Sequence, residues 1–492
     1  MVDGAPRGAG LEADVYPVHM FDNAKVNHCL LSFIMRFNDV LDPEKLCDAL
    51  SRLLEIGDWR KLGGRLKLKK DGKFEIHVPK CFSPDHPGFT FTRTDLTTLG
   101  IDEHDAACRF PKPTENPSIQ PISADFRPFL ARADFPKSIK DMIQRDLPQL
   151  SLHITSFNDA TLVAVSLPHT LMDAMGIQAL LKSWSLVLEG REAEVPPVLG
   201  ARTDLLLDLD YGQESKREDF VLNKHRLQGR KKARFALQFL HDKVRNSSPE
   251  LRVIFLPKWA FDQLQQEPRR QVTESSKASG ENHFISEGDI LTAWAARAVA
   301  LSEPKPRPVT IGGLLDGRSK IPKFAQSEGV YAQNVLTVTS VFIPPEMAKG
   351  DIATIAISHR RQLLEQSSEP QIRGWLKTMR EELQAGGEGL LLFGPSDGLP
   401  MLVNNLKKAD YIKVVNFGEA VVRQGEATES RCNPLGTMVM NYNQPLDRPL
   451  GWPNCFYVLG KDHADNYWLM GSMVPRVWDK IEEGLQSLQK EG

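Results

Sequence analysis

Residues 161–176, TLVAVSLPHTLMDAMG, contain the feature that most limits the folds open to this chain. The run TLVAVSL has the length and apolar content of one buried strand. Pro168 has no N–H to donate to a sheet ladder, so it ends that strand. His169 and Asp173 follow directly. The segment therefore predicts two ionisable side chains in a loop fixed at the end of a buried strand.

A helix is predicted immediately after this loop. Its apolar residues recur at helical spacing, and they are Ile177, Leu180, Leu181, Trp184 and Leu188. Gly176, at the start of the helix, permits a close backbone approach. Loops held by a rigid scaffold often carry catalytic groups. From the residues alone, His169 is either a general base facing a cleft or a hydrogen-bonded core histidine.

The rest of the chain alternates strands and helices in two halves, which predicts a mixed α/β fold. We expect a first lobe at 1–195, a charged crossover segment at 196–250 and a second lobe at 251–492. The patterns predict strands at 30–37, 151–157, 251–257, 309–316, 334–343, 411–417 and 467–474, a hairpin at 65–79, and helices after Asp42, from 259 and after Ser286.

Composition excludes several classes of function. The formal net charge of -2 argues against a protein that coats nucleic-acid phosphates. The 6 cysteines stand singly, so we expect neither a disulfide framework nor a metal site. The N-terminus lacks a secretory signal pattern, and no window is apolar enough to span a bilayer. We expect a monomeric cytoplasmic protein.

Five stretches resemble one known family in the order in which that family has them. PHTLMDAMG is similar to the H-x-x-x-D signature of the BAHD acyltransferases and their fungal relatives of the trichothecene acetyltransferase type, within the chloramphenicol acetyltransferase-like superfamily. The other stretches are GDWRKLGGRL (57–66), ISEGDILTAWAAR (285–297), LLDGRSKIP (314–322) with Tyr331 and Asn334 behind it, and VVNFGEA (414–420) in the place of D-F-G-W-G.

The resemblance implies a fold of two pseudo-symmetric lobes, with mixed β-sheets, flanking helices and an active-site channel between the lobes. It implies direct transfer of an acyl group, most simply acetyl, from acyl-CoA to the hydroxyl or amine of a small molecule. Neither an acyl-enzyme nor a permanently bound cofactor is implied, and the acceptor class would be hydroxylated secondary metabolites of a fungal-type pathway.

The resemblance also assigns roles to residues. His169 would be the general base, since imidazole is mostly neutral near pH 7. Asp173 would turn away from it and pair with Arg318, which holds the loop. Asn404 and Asn405 would lie near the oxyanion of the reaction or would cap a turn. The donor side would include Asn416, Phe417 and Gly418.

Other functions remain open at this stage. Asn416, Glu419 and Ala420 depart from D-F-G-W-G, which is compatible with a CoA-independent condensation or cyclisation that uses the same base, or with an inactive binding protein. A peptide-synthetase condensation domain usually has two adjacent histidines, whereas Pro168 precedes His169 here.

A serine hydrolase is the second alternative. The sequence GPSDG (394–398) would supply Ser396 as the nucleophile, with Asp447 and His463 following in the required order. The hydrolase motif needs a helix directly after the serine. Gly and Pro occupy that position here, at DGLP (397–400), which disfavours the hydrolase.

Overall fold

The computed structural model describes residues 12–207, 209, 220–246, 248–425, 431–447 and 452–489. The strands are β1 (Ala13–Pro17), β2 (Leu30–Phe37), β3 (Asp39–Leu41), β4 (Arg65–Leu68), β5 (Phe74–Pro79), β6 (Phe89–Leu96), β7 (Ser118–Pro121), β8 (Leu150–Phe157), β9 (Thr161–Pro168), β10 (Glu250–Leu256), β11 (Val309–Asp316), β12 (Leu336–Ile343), β13 (Leu399–Asn405), β14 (Val421–Gln424), β15 (Met438–Pro445), β16 (Cys455–Lys461) and β17 (Tyr467–Met473).

The helices are α1 (Pro43–Leu53), α2 (Arg127–Leu130), α3 (Ile139–Gln144), α4 (Ala174–Leu188), α5 (Gly229–Arg245), α6 (Lys258–Ser279), α7 (Glu287–Leu301), α8 (Pro322–Ala325), α9 (Pro345–Ala348), α10 (Ile352–Gln366), α11 (Glu369–Gln384), α12 (Tyr411–Val414) and α13 (Pro475–Gln489). Short 3-10 turns connect several of these elements. This mixture confirms the predicted α/β class.

The first lobe is built on a five-stranded sheet in the order β15-β2-β9-β8-β6. Its inner strands β8 and β9 are buried along their whole length, and β9 is the near-continuous apolar run expected of such a strand. Helix α1 begins at its N-cap Asp42, which accepts hydrogen bonds from the N–H groups of Glu44 and Lys45. Helices α1 and α4 pack against each other beside this sheet.

The second lobe is built on a seven-stranded sheet in the order β12-β11-β13-β16-β17-β10-β7. Helix α7 packs against it and contacts α10 and α13. Ser286 and Asp289 cap the start of α7 reciprocally, with the Ser286 Oγ accepting from the Asp289 N–H at 3.3 Å. The predicted strands at 251–257, 309–316 and 467–474 are confirmed in this sheet.

The two lobes exchange strands. β15 comes late in the chain yet pairs with β2 of the first lobe, and β7 comes early yet pairs with β10 of the second. β7 and β15 thus lie in the sheet built mainly from the other half of the chain, and the predicted limits 1–195, 196–250 and 251–492 stay a prediction. The crossover 196–250 contains α5, whose basic residues are exposed.

One predicted strand is wrong. Residues 411–417 form the single helical turn α12 and a loop, although the mostly apolar run YIKVVNF was predicted to be a strand. Asp410 adopts a left-handed backbone with φ of 44°, and its carbonyl accepts hydrogen bonds from Lys413 and Val414. These local hydrogen bonds satisfy the backbone without a sheet partner.

Among the described helices, none combines the length and the apolar content needed to cross a bilayer.

Candidate active site

His169 lies at the end of β9, and its backbone is held from two sides. Its N–H donates to the carbonyl of Cys29 at 2.9 Å, and its carbonyl accepts from Asn334 Nδ2 at 3.0 Å. The residue is partly exposed, and its Nδ1 is buried without a hydrogen-bond partner among the described residues. The backbone is therefore fixed while the imidazole is not committed to the protein core.

Asn334 is itself positioned by a buried carboxylate. Asp22 Oδ1 accepts from the Asn334 Nδ2 at 2.7 Å and from its backbone N–H at 2.8 Å. Both residues are almost fully buried, with 1% of Asp22 and 3% of Asn334 exposed. The sequence analysis placed Asn334 only as part of a resembling segment and missed Asp22, because nothing local to residue 22 indicates a partner 312 positions away.

A charged cluster surrounds Asp22. Burial raises the pKa of Asp22, and burial lowers the pKa of Lys61 to about 8 despite the attraction of Asp22, Asp204 and Asp58. The Nζ of Lys61 has no hydrogen-bond partner among the described residues. The positive charge of Lys61 and the negative charges of these aspartates therefore attract each other without a hydrogen bond to the Lys61 Nζ.

Asp173 does not touch the imidazole as a catalytic orienting group would. It caps helix α4 by accepting from the N–H groups of Met175 at 3.0 Å and Gly176 at 3.1 Å. Both of its carboxylate oxygens also accept from Arg318 Nη2 at 2.9 Å, and Oδ2 accepts from the Val335 N–H at 3.1 Å. The structure thus brings Asp173 and Arg318 together in the arrangement that the resemblance implied.

Arg318 connects this loop to the second lobe. Its Nη1 donates to Asp316 Oδ1 at 2.9 Å, and its Nε and Nη2 donate to the carbonyls of Tyr331 and Gln333. Burial alone would lower the pKa of Arg318, but the carboxylates of Asp173 and Asp316 outweigh burial and raise it. The guanidinium stays charged and anchors the loop.

Gly176 is required by a close contact rather than by its backbone angles. A Cβ at this position would lie 2.2 Å from the carbonyl oxygen of Ala332. Ala332 follows Tyr331, whose carbonyl accepts from Arg318. The missing side chain therefore lets the start of α4 approach the Arg318 segment.

Asn404 and Asn405 face opposite sides of β13. Asn405 Oδ1 accepts from the Lys407 N–H at 3.1 Å and so caps a turn. Asn404 lies on the strand face of Leu402, which packs against the core of the first lobe, and pairs in register with Tyr457. Burial raises the pKa of Tyr457, and the thiols of Cys455 and Cys29 act in the same direction. Cys29, whose carbonyl accepts from the His169 N–H, therefore lies near Tyr457, the register partner of Asn404.

The segment 416–418 lies at the other end of helix α4. The backbone N–H of Asn416 donates to Ser185 Oγ at 3.0 Å, and its side chain donates to Glu189 Oε1 at 2.8 Å. Ser185 is twelve residues beyond Asp173, which corresponds to about 18 Å along a helix. The contacts of Asn416 therefore lie far from His169.

Phe417 and Gly418 are also committed to packing. Phe417 is fully buried, with its ring 4.8 Å from that of Trp184 and 5.4 Å from that of Phe37. The Gly418 N–H donates to Asn416 Oδ1 at 3.0 Å. These contacts give the segment a structural role, and its predicted place on the donor side stays a prediction.

The structure contradicts the hydrolase alternative. Ser396 lies on a turn that leads into strand β13, not into a helix. β13 and β16 are parallel neighbours, and His463 follows the far end of β16, about 20 Å along that strand. Asp447 follows β15 in the sheet of the first lobe. These three side chains therefore do not form a triad.

No group of three or more His, Cys, Asp or Glu side chains is placed to hold a metal ion in the described parts of the chain. Cys47, Cys81, Cys108 and Cys455 are free thiols.

Comparison with known proteins decides the family. The profile of the transferase family matches residues 135–369, which include His169, Asp173 and Arg318. The O-acetyltransferase PaAT-2 of Phomopsis amygdali is 35% identical over 96% of this chain and 98% of the relative. The chain belongs to the transferase family. The acetyltransferase pyiB of Pyricularia grisea is 32% identical over 97% of this chain and 94% of its own length.

The fold agrees with this assignment. TRI101 of F. sporotrichioides, solved with coenzyme A and T-2, superimposes with a TM-score of 0.62 at 14% identity, covering 96% of this chain and 97% of that one. This similarity confirms the predicted fold class. The relatives PaAT-2 and pyiB confirm the predicted resemblance to fungal acyltransferases, and the protein is an acyltransferase.

Proposed function

We propose that this transferase moves an acetyl group from acetyl-CoA to a hydroxyl group of a small secondary metabolite, with His169 as the general base. The observation that carries the proposal is the state of His169: its backbone is clamped by Cys29 and Asn334, while its imidazole has no hydrogen-bond partner among the described residues. The names of PaAT-2 and pyiB support acetyl as the group transferred. The coenzyme A bound to TRI101 supports the donor.

The reaction balances with one base and no covalent enzyme intermediate. The acceptor oxygen attacks the thioester carbonyl while the imidazole takes the hydroxyl proton. The resulting tetrahedral intermediate carries an oxyanion, and its collapse breaks the C–S bond. The imidazolium then protonates the CoA thiolate, which leaves an ester, free CoA and neutral His169.

The oxyanion needs a hydrogen-bond donor, and Asn404 is the candidate we favour over Asn405. Asn405 is exposed and its amide oxygen caps a turn, whereas Asn404 lies on the other face of β13, with Leu402, which packs against the core of the first lobe. A donor of this kind typically contributes about 10²- to 10³-fold to kcat. Asn404→Ala is expected to lower kcat by that factor with little change in the KM for acetyl-CoA.

The test measures release of the CoA thiol from acetyl-CoA in the presence of a panel of hydroxylated secondary metabolites, and mass spectrometry confirms the mass shift of the acetylated product. His169→Ala is expected to lower kcat about 10²- to 10⁴-fold. Its denaturation midpoint should change little, because both clamps on His169 are backbone hydrogen bonds. His77→Ala, on strand β5, is the matched control and should keep wild-type activity.

A His169→Ala enzyme that retains more than a tenth of the wild-type rate would contradict the assigned base. The CoA-independent alternative predicts that His169 is needed but that acetyl-CoA is not, so product formation without acetyl-CoA would favour it. Absence of both CoA release and product across the panel would favour the inactive binding protein.

A further inference from the structure

Helix α5 carries a row of apolar side chains on its solvent-exposed face. Leu237, Leu240 and Val244 are 69%, 57% and 81% exposed, and the exposed Ala233 extends the row by one turn. Spacings of four, three and four residues place these side chains on one face of the helix, over about 17 Å of its length. Among the described helices, no other has more than one exposed large apolar side chain. Single exposed apolar side chains are common, whereas a continuous row of them indicates an interaction surface.

The opposite face attaches α5 to the rest of the protein. Phe235 is buried, and the ring of Phe239 lies 5.4 Å from that of Trp452. Both carboxylate oxygens of Asp242 accept from the guanidinium of Arg307, at 3.0 and 3.1 Å. Phe235, Phe239 and Asp242 also follow spacings of four and three residues, so they share the inner face of the helix. The exposed row is therefore not needed to hold α5 in place.

Basic side chains lie along both sides of the apolar row. α5 contains six Lys and Arg residues but one acidic residue, Asp242, which is paired with Arg307. By helical periodicity, the basic residues on one side of the row are Arg230, Arg234 and Arg245, and those on the other side are Lys232 and Lys243. Arg245 lies 3.8 Å from Glu303, and none of the others forms an ion pair with a described residue. Because the formal net charge of the whole chain is -2, this is a local concentration of positive charge.

We propose that the exposed face of α5 binds an anionic membrane surface. Leu237, Leu240 and Val244 enter the boundary between the lipid headgroups and the acyl chains, and the Lys and Arg side chains contact the headgroup phosphates. An apolar row between basic side chains is typical of helices that lie in the plane of an anionic bilayer. Both features of the face are then used, because the lipid removes the apolar row from water and attracts the positive charges.

The attachment and the charge of α5 argue against two other occupants. A partner that encloses the helix in a groove would have to break the Asp242–Arg307 pair and expose Phe235. A second copy of this chain that packed through the same face would bring two sets of six positive charges together. A flat anionic surface requires neither change.

Binding is measured by co-flotation of the full chain with lipid vesicles at low salt. Vesicles of equimolar phosphatidylcholine and phosphatidylserine supply the anionic surface, and vesicles of phosphatidylcholine alone supply a neutral one. Wild type should bind the neutral vesicles about a hundredfold more weakly than the anionic ones. Sodium chloride at about 1 M, where the Debye length falls to about 3 Å, should release the protein from the anionic vesicles.

The Leu240→Gln variant tests the apolar row without changing the charge or the helix propensity. It should bind the anionic vesicles about five- to tenfold more weakly than wild type. Leu364→Gln is the matched control, because Leu364 is a leucine with 59% exposure on another helix, α10. The control should bind with nearly the wild-type Kd.

The Arg230→Gln/Arg234→Gln variant tests the charge on one side of the row. It should bind the anionic vesicles about thirtyfold more weakly at low salt. Lys69→Gln/Lys70→Gln removes the same charge from the exposed turn between β4 and β5 and should bind with nearly the wild-type Kd. All four variants should keep the wild-type denaturation midpoint, because the substituted side chains are exposed.

Absence of binding of wild type to the anionic vesicles, or equal losses in the α5 variants and their controls, would overturn the membrane assignment. A dimer that Leu240→Gln dissociates would also overturn it, in favour of a second copy. Tight binding to calcium-loaded calmodulin without binding to vesicles would overturn it in favour of an acidic protein. Acetyl transfer by His169 is measured without vesicles, so the proposed function stands or fails separately.

Discussion

The Asp173→Ala variant is expected to lose a large part of its free energy of unfolding. Asp173 caps α4, which is worth about 1 kcal/mol. It also compensates the charge of Arg318 inside the protein, and breaking one side of a buried pair costs about 3–5 kcal/mol. The sum of about 4–6 kcal/mol is comparable with the whole stability of many domains, which is about 5–15 kcal/mol. We therefore expect low yields of folded Asp173→Ala protein.

The Asp173→Asn variant should lose less. An amide oxygen can still accept from the Met175 and Gly176 N–H groups, so the cap is retained. The same oxygen can still accept from Arg318 Nη2, but the amide nitrogen would face the donors of Arg318 and Val335, and the negative charge that compensates Arg318 is lost. Arg318 keeps Asp316 as a partner, so we expect about half of the loss seen with alanine.

Asp316→Ala is the matched control, because Asp316 binds the same guanidinium but its side chain is 22% exposed. It should cost about 1–2 kcal/mol. Urea denaturation at pH 7, followed by tryptophan fluorescence, gives the free energies, and the Asp173→Ala/Arg318→Ala double-mutant cycle gives the pair energy. If Asp173→Ala unfolds within 1 kcal/mol of wild type and only kcat falls, then Asp173 acts on His169 and its anchoring role is wrong.

Four further predictions follow from the site. Gly176→Ala forces a Cβ into a carbonyl oxygen and should cost about 1–3 kcal/mol or more, measured by the same denaturation; an unchanged midpoint would contradict the close contact. Asp22→Ala leaves two buried donors of Asn334 unpaired, so both stability and kcat should fall while the KM for acetyl-CoA stays within twofold; a normal kcat would separate Asp22 from the site. The pKa of Lys61 is about 8 in the folded protein and about 10.4 in the unfolded chain, so between pH 8 and pH 10.4 the unfolded chain binds more protons. As the pH rises through this range, the free energy of unfolding of wild type should therefore rise by up to about 3 kcal/mol relative to that of Lys61→Met. A difference between the two proteins that does not change with pH would refute this. Ser396→Ala should keep full activity, and labelling of Ser396 by a fluorophosphonate probe would revive the hydrolase.

The elements around His169 could be predicted because their signals are local. An apolar run, a proline and a helical repeat lie within thirty residues, and they gave β9, the loop and α4 almost at their observed limits. The pairing of Asp173 with Arg318 spans 145 positions and came only from the family resemblance. Sequence periodicity cannot report such a contact, because the side chains meet only after both sheets have formed.

The remaining differences have the same origin. The run 411–417 has the apolar content of a strand, but the carbonyl of Asp410 accepts from the N–H groups of Lys413 and Val414 and so forms a helical turn instead. Asp22 resembles any surface aspartate until the fold buries it against Asn334. A cavity of about 530 Å³ is lined by residues that range from 122 to 477 in the sequence, so no single stretch of the sequence could predict it.

The exchange of β7 and β15 has a consequence for how this polypeptide matures. The sheet of the first lobe lacks its edge strand β15 until residue 445 has left the ribosome. The amino-terminal half of the chain therefore cannot complete this sheet during most of translation. Expressing either half by itself would leave an unpaired β2 or β10 edge prone to aggregation. Two fragments of the chain, divided within the crossover segment, should therefore be soluble when they are co-expressed but not when either is expressed alone.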